Sequence, residues 1–184
     1  MLGDDLRIAL GMALENARRR RHEFLTVEHL LHGLLHEPKA SNVLQACGAD
    51  LKVLEEEVEE VLDGFEKLEI DEEYDPVQTI GFRRVLQRAI MHVQASSKGP
   101  VDGGHVLVAI FGEADSNAVY LLQRQGVSRL DVASFLSHGR RKDGKTREDV
   151  GAPTGAAEPS ASKSPDEALA EFTTDLYQRA SEGR

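Results

Sequence analysis

The chain has 184 residues, of which 40% are hydrophobic, and this is enough for one domain with a core of its own. Its formal net charge is −10, and thirteen acidic residues against two lysines fall between Asp50 and Asp75, so the rest of the chain is close to neutral. That balance argues against a general nucleic-acid binder, which needs a basic face to displace counterions from phosphates. No apolar run is as long as a membrane span, which needs about 18 residues. A cytoplasmic protein is therefore expected.

The first part of the sequence predicts four helices joined by short connections. Apolar residues recur at helical spacing, and polar residues that cap helices or end them stand between the periodic stretches. The expected helices cover 3–19, a stretch from the cap Thr26 to about His36, a short stretch between Pro38 and Gly48, and an acidic stretch from the cap Asp50 to about Asp63.

The same pattern returns 76 residues later. His29 then overlays His105 and Glu37 overlays Glu113, and Gly126 takes the place of Gly48 after a small change in length. The second copy therefore predicts four more helices, one over 82–93, one capped by Asp102, one ending before Gly126, and one capped by Ser128 that runs through Leu136.

This internal repeat predicts an all-α fold in which two four-helix units pack with pseudo-twofold symmetry. No convincing alternating strand is present. The domain is expected to cover 1–138, with repeat one at 1–63, an acidic joining segment at 64–78 and repeat two at 79–138. A flexible linker is expected over 139–163, because only one large apolar residue falls there, and a short C-terminal helix over 164–184.

Residues 139–146, GRRKDGKT, match the G-x-x-x-x-G-K-[ST] pattern of a phosphate-binding loop. Such a loop needs a buried strand before it and a helix after it, so that backbone N–H groups face the anion. An amphipathic helix end precedes this match, and Gly151 and Pro153 prevent a helix after it. We therefore interpret the match as part of the linker, and no nucleotide cofactor is expected in this chain.

Four histidines fall close together at 22, 29, 32 and 36, which makes a zinc site conceivable on ligand type. The repeat favours a structural role for His29 near the edge of the core, and His32 and His36 are expected on the solvent side. No nucleophile stands beside a base, and Cys47 is expected to be a small buried side chain. The sequence thus predicts neither a catalytic site nor a resident metal.

The stretch RRHEFLTVEHLLHGLL at 20–35 and its weaker echo GPVDGGHVLVAIF at 99–111 resemble the Clp repeat domain at the N-terminus of Hsp100 unfoldases. The wider match, including FTTDL at 172–176, is similar to the ClpA branch of that family. The resemblance implies a non-enzymatic domain tethered above an ATP-driven ring. It also implies that the AAA+ ATPase modules, with their ATP and magnesium, would follow Arg184.

The partners implied by the resemblance are a ClpS-like adaptor and protein substrates, with ClpP engaged only through the ATPase modules. Residues 21–29, RHEFLTVEH, fit an adaptor contact, because they offer charged groups where the second repeat has the plainer KGPVDGGH. The alternative is that these side chains only cap and solubilise a helix. The expected contact residues are His22, Glu23, Thr26 and Glu28, with Thr79 and Arg83 as weaker candidates.

Two further possibilities follow from the sequence alone. The acidic segment 50–75 is a second candidate surface for basic partners, although a solvated helix and loop is the simpler interpretation. The alternative function is that of a free-standing helical regulatory module that binds a metal through His22 and its neighbours.

Overall fold

The computed structural model describes residues 1–69, 74–96 and 99–139, together with residues 72 and 141. Within these residues the fold is all-α with pseudo-twofold symmetry, as the repeat predicts, and the strands are limited to one short pair. Apart from residues 139 and 141, the predicted linker and C-terminal helix lie outside the described residues. In chain order the elements are α1 (Asp4–Arg19), β1 (Phe24–Leu25), α2 (Val27–Leu35), α3 (Pro38–Ala46), α4 (Leu51–Asp63), β2 (Val77–Gln78), α5 (Ile80–Ser96), α6 (Gly103–Ile110), α7 (Asn117–Arg124) and α8 (Arg129–His138).

Side-chain caps begin the helices where the sequence predicts them. Asp50 accepts hydrogen bonds from the backbone N–H groups at the start of α4, and Asp102 and Ser128 do the same for α6 and α8. Gly48 and Gly126 both have positive φ, so each ends its helix in a left-handed conformation that glycine adopts without strain.

Helices α2 and α6 form the centre of the domain. Each packs against the first and fourth helix of its own repeat and also against the third helix of the other repeat, so α3 contacts α6 and α7 contacts α2. Their apolar faces are fully buried. Because the third helices cross between repeats, the two units share one core. No helix in the described part of the chain combines the length and apolar character that a membrane crossing needs.

Short stretches of backbone also pair between the two repeats, which the sequence did not predict. In β1 and β2, Leu25 pairs with Gln78 in parallel, and an isolated parallel bridge joins Leu2 to Val101. An offset of 76 residues converts one pair into the other. Each pair thus joins the residue stretch before the first helix of one repeat to the stretch before the second helix of the other. The pairs are too short to show an alternating pattern.

The acidic helix α4 is held by basic residues from both repeats. The Arg20 side chain, only 13% exposed, pairs with Glu59 at 3.6 Å and with Asp63. On the other side of the helix, Arg124 lies 3.4 Å from Glu57. Glu59 and Asp63 have side-chain exposures of 44% and 65%, as a solvated acidic helix face predicts, whereas Glu57 is only 15% exposed. Part of the acidic charge is neutralised within the fold.

Candidate docking cleft

Three helix N-termini meet at a cleft of about 470 Å³ on one side of the domain. They belong to α2, α5 and α7, and the loop between α6 and α7 completes the wall. Its polar lining includes Thr26, Glu28, Thr79, Arg84, Glu113 and Asp115.

Glu28 forms the floor of the cleft. Its residue is only 6% exposed, and Oε1 accepts a hydrogen bond from the backbone N–H of Ala118 at 3.4 Å. Ala118 is in the first turn of α7, whose N-cap Ser116 accepts from Val119. A carboxylate at this position is stabilised by the positive end of the α7 dipole. Glu28 therefore ties α2 to α7 across the two repeats.

Thr79 fixes the opposite wall. Its hydroxyl donates to the carbonyl oxygen of Leu25 at 3.3 Å, and the hydroxyl oxygen Oγ1 of Thr79 accepts from the backbone N–H of Phe82 at 3.2 Å. The backbone N–H of Thr79 also donates to Leu25, at 3.1 Å. The start of α5 is thereby held against β1, and Thr26, the residue after β1, faces the same cleft as Thr79.

Charged side chains of both signs line the cleft. Glu113 accepts a hydrogen bond from Nη1 of Arg88 at 2.6 Å and lies 3.6 Å from Nε of Arg84, whose side chain is 55% exposed. Asp115 adds a second carboxylate in the same loop. With the threonine hydroxyls, the cleft can donate and accept hydrogen bonds and can pair with either sign of charge. Such a surface suits the polar groups of a protein partner.

His22 lies behind this cleft and not on its surface. Its residue is 2% exposed, and its Nδ1 is 2.8 Å from Nε2 of the fully buried His29. Burial, with further contributions from His22 and Arg20, lowers the pKa of His29 to about 3. Burial and the positive charge of Arg20 also lower the pKa of His22. The two rings are therefore neutral at pH 7 and act as part of the core.

The structure brings some of the sequence-predicted contact residues together and separates others. Thr26, Thr79 and Glu28 share the cleft, whereas Glu23 and Arg83 are exposed nearby and do not line it. The expectation that His22 and Glu28 form an exposed polar surface is wrong. Both side chains turn inward because partners are available there, His29 for the imidazole and Ala118 for the carboxylate.

Sequence reasoning missed three residues of the cleft, Arg84, Glu113 and Asp115. The alignment of Glu113 with Glu37 was the available signal, since both follow the central helix of a repeat. The expectation that His32 faces solvent is also wrong, because its Nε2 lies 3.6 Å from Glu59 and the residue is 7% exposed.

No three His, Cys, Asp or Glu side chains approach closely enough to hold a metal ion in the part of the chain that the structure describes. His22 and His29 are bonded to each other and are not directed at a common point. The geometry of these histidines therefore does not support the zinc site that their residue types suggested.

A second concavity, which we call the apolar groove, lies between α1 and α5 and has a volume of about 420 Å³. Leu10 and Leu14 from α1 face Phe82 and Leu86 from α5 across it. The offset of 76 residues relates Leu10 to Leu86, so the two walls come from equivalent positions of the two repeats.

A family model and a relative found by sequence similarity both relate this chain to Clp proteins. A family model described as the Clp repeat (R) N-terminal domain matches residues 1–125. A protein from Fuscovulum blasticum described as a ClpA homolog is 40% identical over 182 residues, which cover 95% of this chain and 23% of that protein. The chain thus spans about a quarter of the length of this relative.

Solved structures share the fold at low sequence identity. The N-terminal domain of Hsp104 from Candida albicans is 18% identical with a TM-score of 0.62, and the match covers 76% of this chain and 93% of that one. A complex of the ClpV N-domain with a VipB peptide is 20% identical with a TM-score of 0.58, covering 74% and 84% of the two chains.

Proposed function

The chain belongs to the Clp repeat N-terminal domain family, and we propose that it is the non-enzymatic docking domain of a ClpA-like ATP-dependent unfoldase. In this proposal it captures an adaptor of the ClpS type and protein substrates, and the unfolding and hydrolysis belong to ATPase modules outside these residues. Delivery to a ClpP-type protease and a cytoplasmic location form part of the same proposal.

The observation that carries the proposal is the shared cleft of Thr26 and Thr79. Two threonines from different repeats line one polar depression, and the hydrogen bonds of Thr79 to Leu25 hold its walls in a fixed relation. Preformed walls reduce the ordering cost of binding. The exposed residues Glu23 and Arg83, three and four positions along the chain from Thr26 and Thr79, offer opposite charges to an adaptor.

The apolar groove supports direct capture of substrates. Unfolded segments expose apolar side chains, and a concavity walled by Leu10, Leu14 and Leu86 offers them a surface to bury. The ClpV N-domain, which shares the fold, has been solved with a bound VipB peptide. We propose that peptide capture extends to this chain.

The adaptor part is tested by exchanging two exposed charges. The double variant Glu23→Arg/Arg83→Glu keeps the net charge and alters no hydrogen bond that holds the cleft walls. We expect it to weaken binding of a ClpS-type adaptor roughly tenfold or more in calorimetry, because both rim charges then oppose their partners. The matched control is Glu15→Arg/Arg19→Glu, two exposed positions on α1.

Circular dichroism and thermal unfolding should be the same for both double variants. If the rim variant binds the adaptor as tightly as the wild-type chain does, the cleft is not the adaptor site.

A further inference from the structure

A groove runs along the outer face of α6, whereas described side chains cover the equivalent face of α2 in repeat one. It consists of two adjoining concavities of about 310 and 400 Å³, lying between α5 and α8. Both are lined by His92, His105, Val108 and Arg129. We call it the α6 groove.

The two repeats differ in the described side chains that lie against this face. His29, the equivalent of His105, is fully buried, with the rings of His22 and Phe65 against it at 5.0 and 6.0 Å between centroids. The His105 side chain is 15% exposed and has the ring of His92 as its neighbour at 6.3 Å. Within the described part of the chain, this face is therefore covered in repeat one and carries a concavity in repeat two.

Positive charge predominates in the α6 groove although the whole chain has a net charge of −10. Arg88 lines one end and Lys39 the other, with Arg129 between them. Asp102, the acidic residue among the lining groups, pairs with Lys39 at 2.7 Å. Arg88 is bonded to Glu113 at 2.6 Å, outside the lining.

Arg129 is the group whose position the fold does not explain. It is exposed at the first residue of α8, and no hydrogen bond or ion pair holds its guanidinium among the described residues. A cation at a helix N-terminus is disfavoured by the dipole. The N-terminus of α8 already has its capping residues Ser128 and Asp131, so the Arg129 guanidinium is the group that favours an anionic partner.

Apolar side chains complete the surface. Val108 forms part of the floor, and Val43 and Leu136, the latter 37% exposed, line the end nearer Lys39. A ligand for this groove therefore combines negative charge with an apolar side chain. Nucleic acid offers phosphates but lacks that side chain, so a protein segment matches both features of the groove.

We propose that the α6 groove binds an acidic segment of a partner protein, with carboxylates at Arg129 and Arg88 and an apolar side chain against Val108 and Leu136. Most of this site is on repeat two, α3 of repeat one contributes Lys39 and Val43, and the groove adjoins the adaptor cleft at Gly112. The proposal does not depend on which adaptor, if any, the cleft binds.

The test uses a fluorescein-labelled peptide of glutamates interspersed with leucines, followed by anisotropy. Arg129→Glu should weaken its binding roughly tenfold, because an attractive charge becomes a repulsive one. The variant places a carboxylate at a helix N-terminus, where the dipole favours it, so α8 should be retained. Arg19→Glu makes the same charge change at an exposed position on α1 and should leave binding within about twofold.

Three results with peptides would overturn the proposal. The glutamate peptide does not bind the wild-type chain measurably, it binds the Arg129→Glu variant equally well, or a matched peptide with glutamine in place of every glutamate binds equally well. An oligothymidylate that binds as tightly as the peptide would also overturn it, since the groove would then accept any polyanion. The Glu23→Arg/Arg83→Glu variant should bind the peptide normally, and Arg129→Glu should bind the adaptor normally, so the two proposals fail separately.

Discussion

Nδ1 of His22 lies 2.8 Å from Nε2 of His29 in the core of repeat one. The backbone N–H of Thr26 donates to Nδ1 of His29 at 3.1 Å, so that atom accepts and Nε2 carries the proton that is donated to His22. Nε2 of His22 has no hydrogen-bond partner among the described residues. The arrangement requires both rings to be neutral, and protonating either one places a charge in a buried site.

Acidification should therefore destabilise the domain. The pKa of His29 is lowered to about 3 and the pKa of His22 is lowered too, so the unfolded chain takes up protons near pH 6.5 while the folded chain resists them. Stability is complete above that pH and is lost as the pH falls, by up to about 1.4 kcal/mol per pH unit for each such histidine. Urea unfolding between about pH 6.5 and 5 measures this slope.

The His29→Gln variant is the matched comparison for that slope. It is expected to be less stable at neutral pH, but its free energy of unfolding should depend less steeply on pH. The reason is that the variant lacks one histidine whose protonation the folded state suppresses. An unchanged slope in this variant would mean that His29 is not the residue responsible.

Arg20 should contribute measurably to stability although it belongs to a run of arginines. Its side chain is 13% exposed and joins the end of α1 to Glu59 and Asp63 of α4. Arg20→Ala should lower the free energy of unfolding by about 1–2 kcal/mol, between the values typical of exposed and buried ion pairs. The neighbouring exposed Arg19, changed to Ala, should alter it by less than about 0.5 kcal/mol. Equal effects in chemical denaturation would contradict the pairing.

Two glycines in the first helices should respond to alanine in opposite ways. A methyl group at Gly33 would collide with the carbonyl oxygen of Ala9, where α2 crosses α1. Gly33→Ala should therefore destabilise the domain by at least about 2 kcal/mol. Gly11 has open space around its Cβ position within α1, so Gly11→Ala should stabilise by about 0.5–1 kcal/mol. Thermal unfolding of the two variants shows whether the signs differ.

Glu37 should behave as a buried cap that serves both repeats. Its carboxylate accepts from the backbone N–H of Ala40 at 2.5 Å and from that of Gly103 at 3.4 Å. Glu37→Ala should cost about 2 kcal/mol, whereas Glu15→Ala, at an exposed position of α1, should cost less than about 0.5 kcal/mol.

Gly103 provides an independent check of the same contact. A methyl group there would collide with the Glu37 carboxylate. In a double-mutant cycle the loss for Gly103→Ala/Glu37→Ala should be smaller than the sum of the two single losses, because Glu37→Ala removes the carboxylate that the added methyl group would meet. Additive losses in urea unfolding would show that the two residues do not meet.

The sequence was sufficient for the fold because its signals are local or periodic. Caps such as Asp50 and Ser128 act within their own helix, and the glycines at 48 and 126 end helices by their own backbone conformation. The repeat offset then relates the two units, since equivalent residues occupy equivalent places in each.

The cleft was predictable only in part, because inward-facing polar groups depend on distant partners. Glu28 is buried because the backbone N–H of Ala118, ninety residues later in the chain, donates a hydrogen bond to its carboxylate. The burial of His22 likewise depends on His29 and Phe65 coming together in the fold. No pattern within one helix distinguishes such residues from exposed ones of the same type.

The reciprocal pairs of Leu25 with Gln78 and Leu2 with Val101 point to the origin of the molecule. Each half gives one backbone segment and receives one, and this is the arrangement of an isologous dimer. Two copies of an ancestral single repeat would satisfy both pairs at once. Duplication and fusion of its gene would make the dimer permanent and free each copy to change independently, so that one face of the pair closed while its twin stayed open.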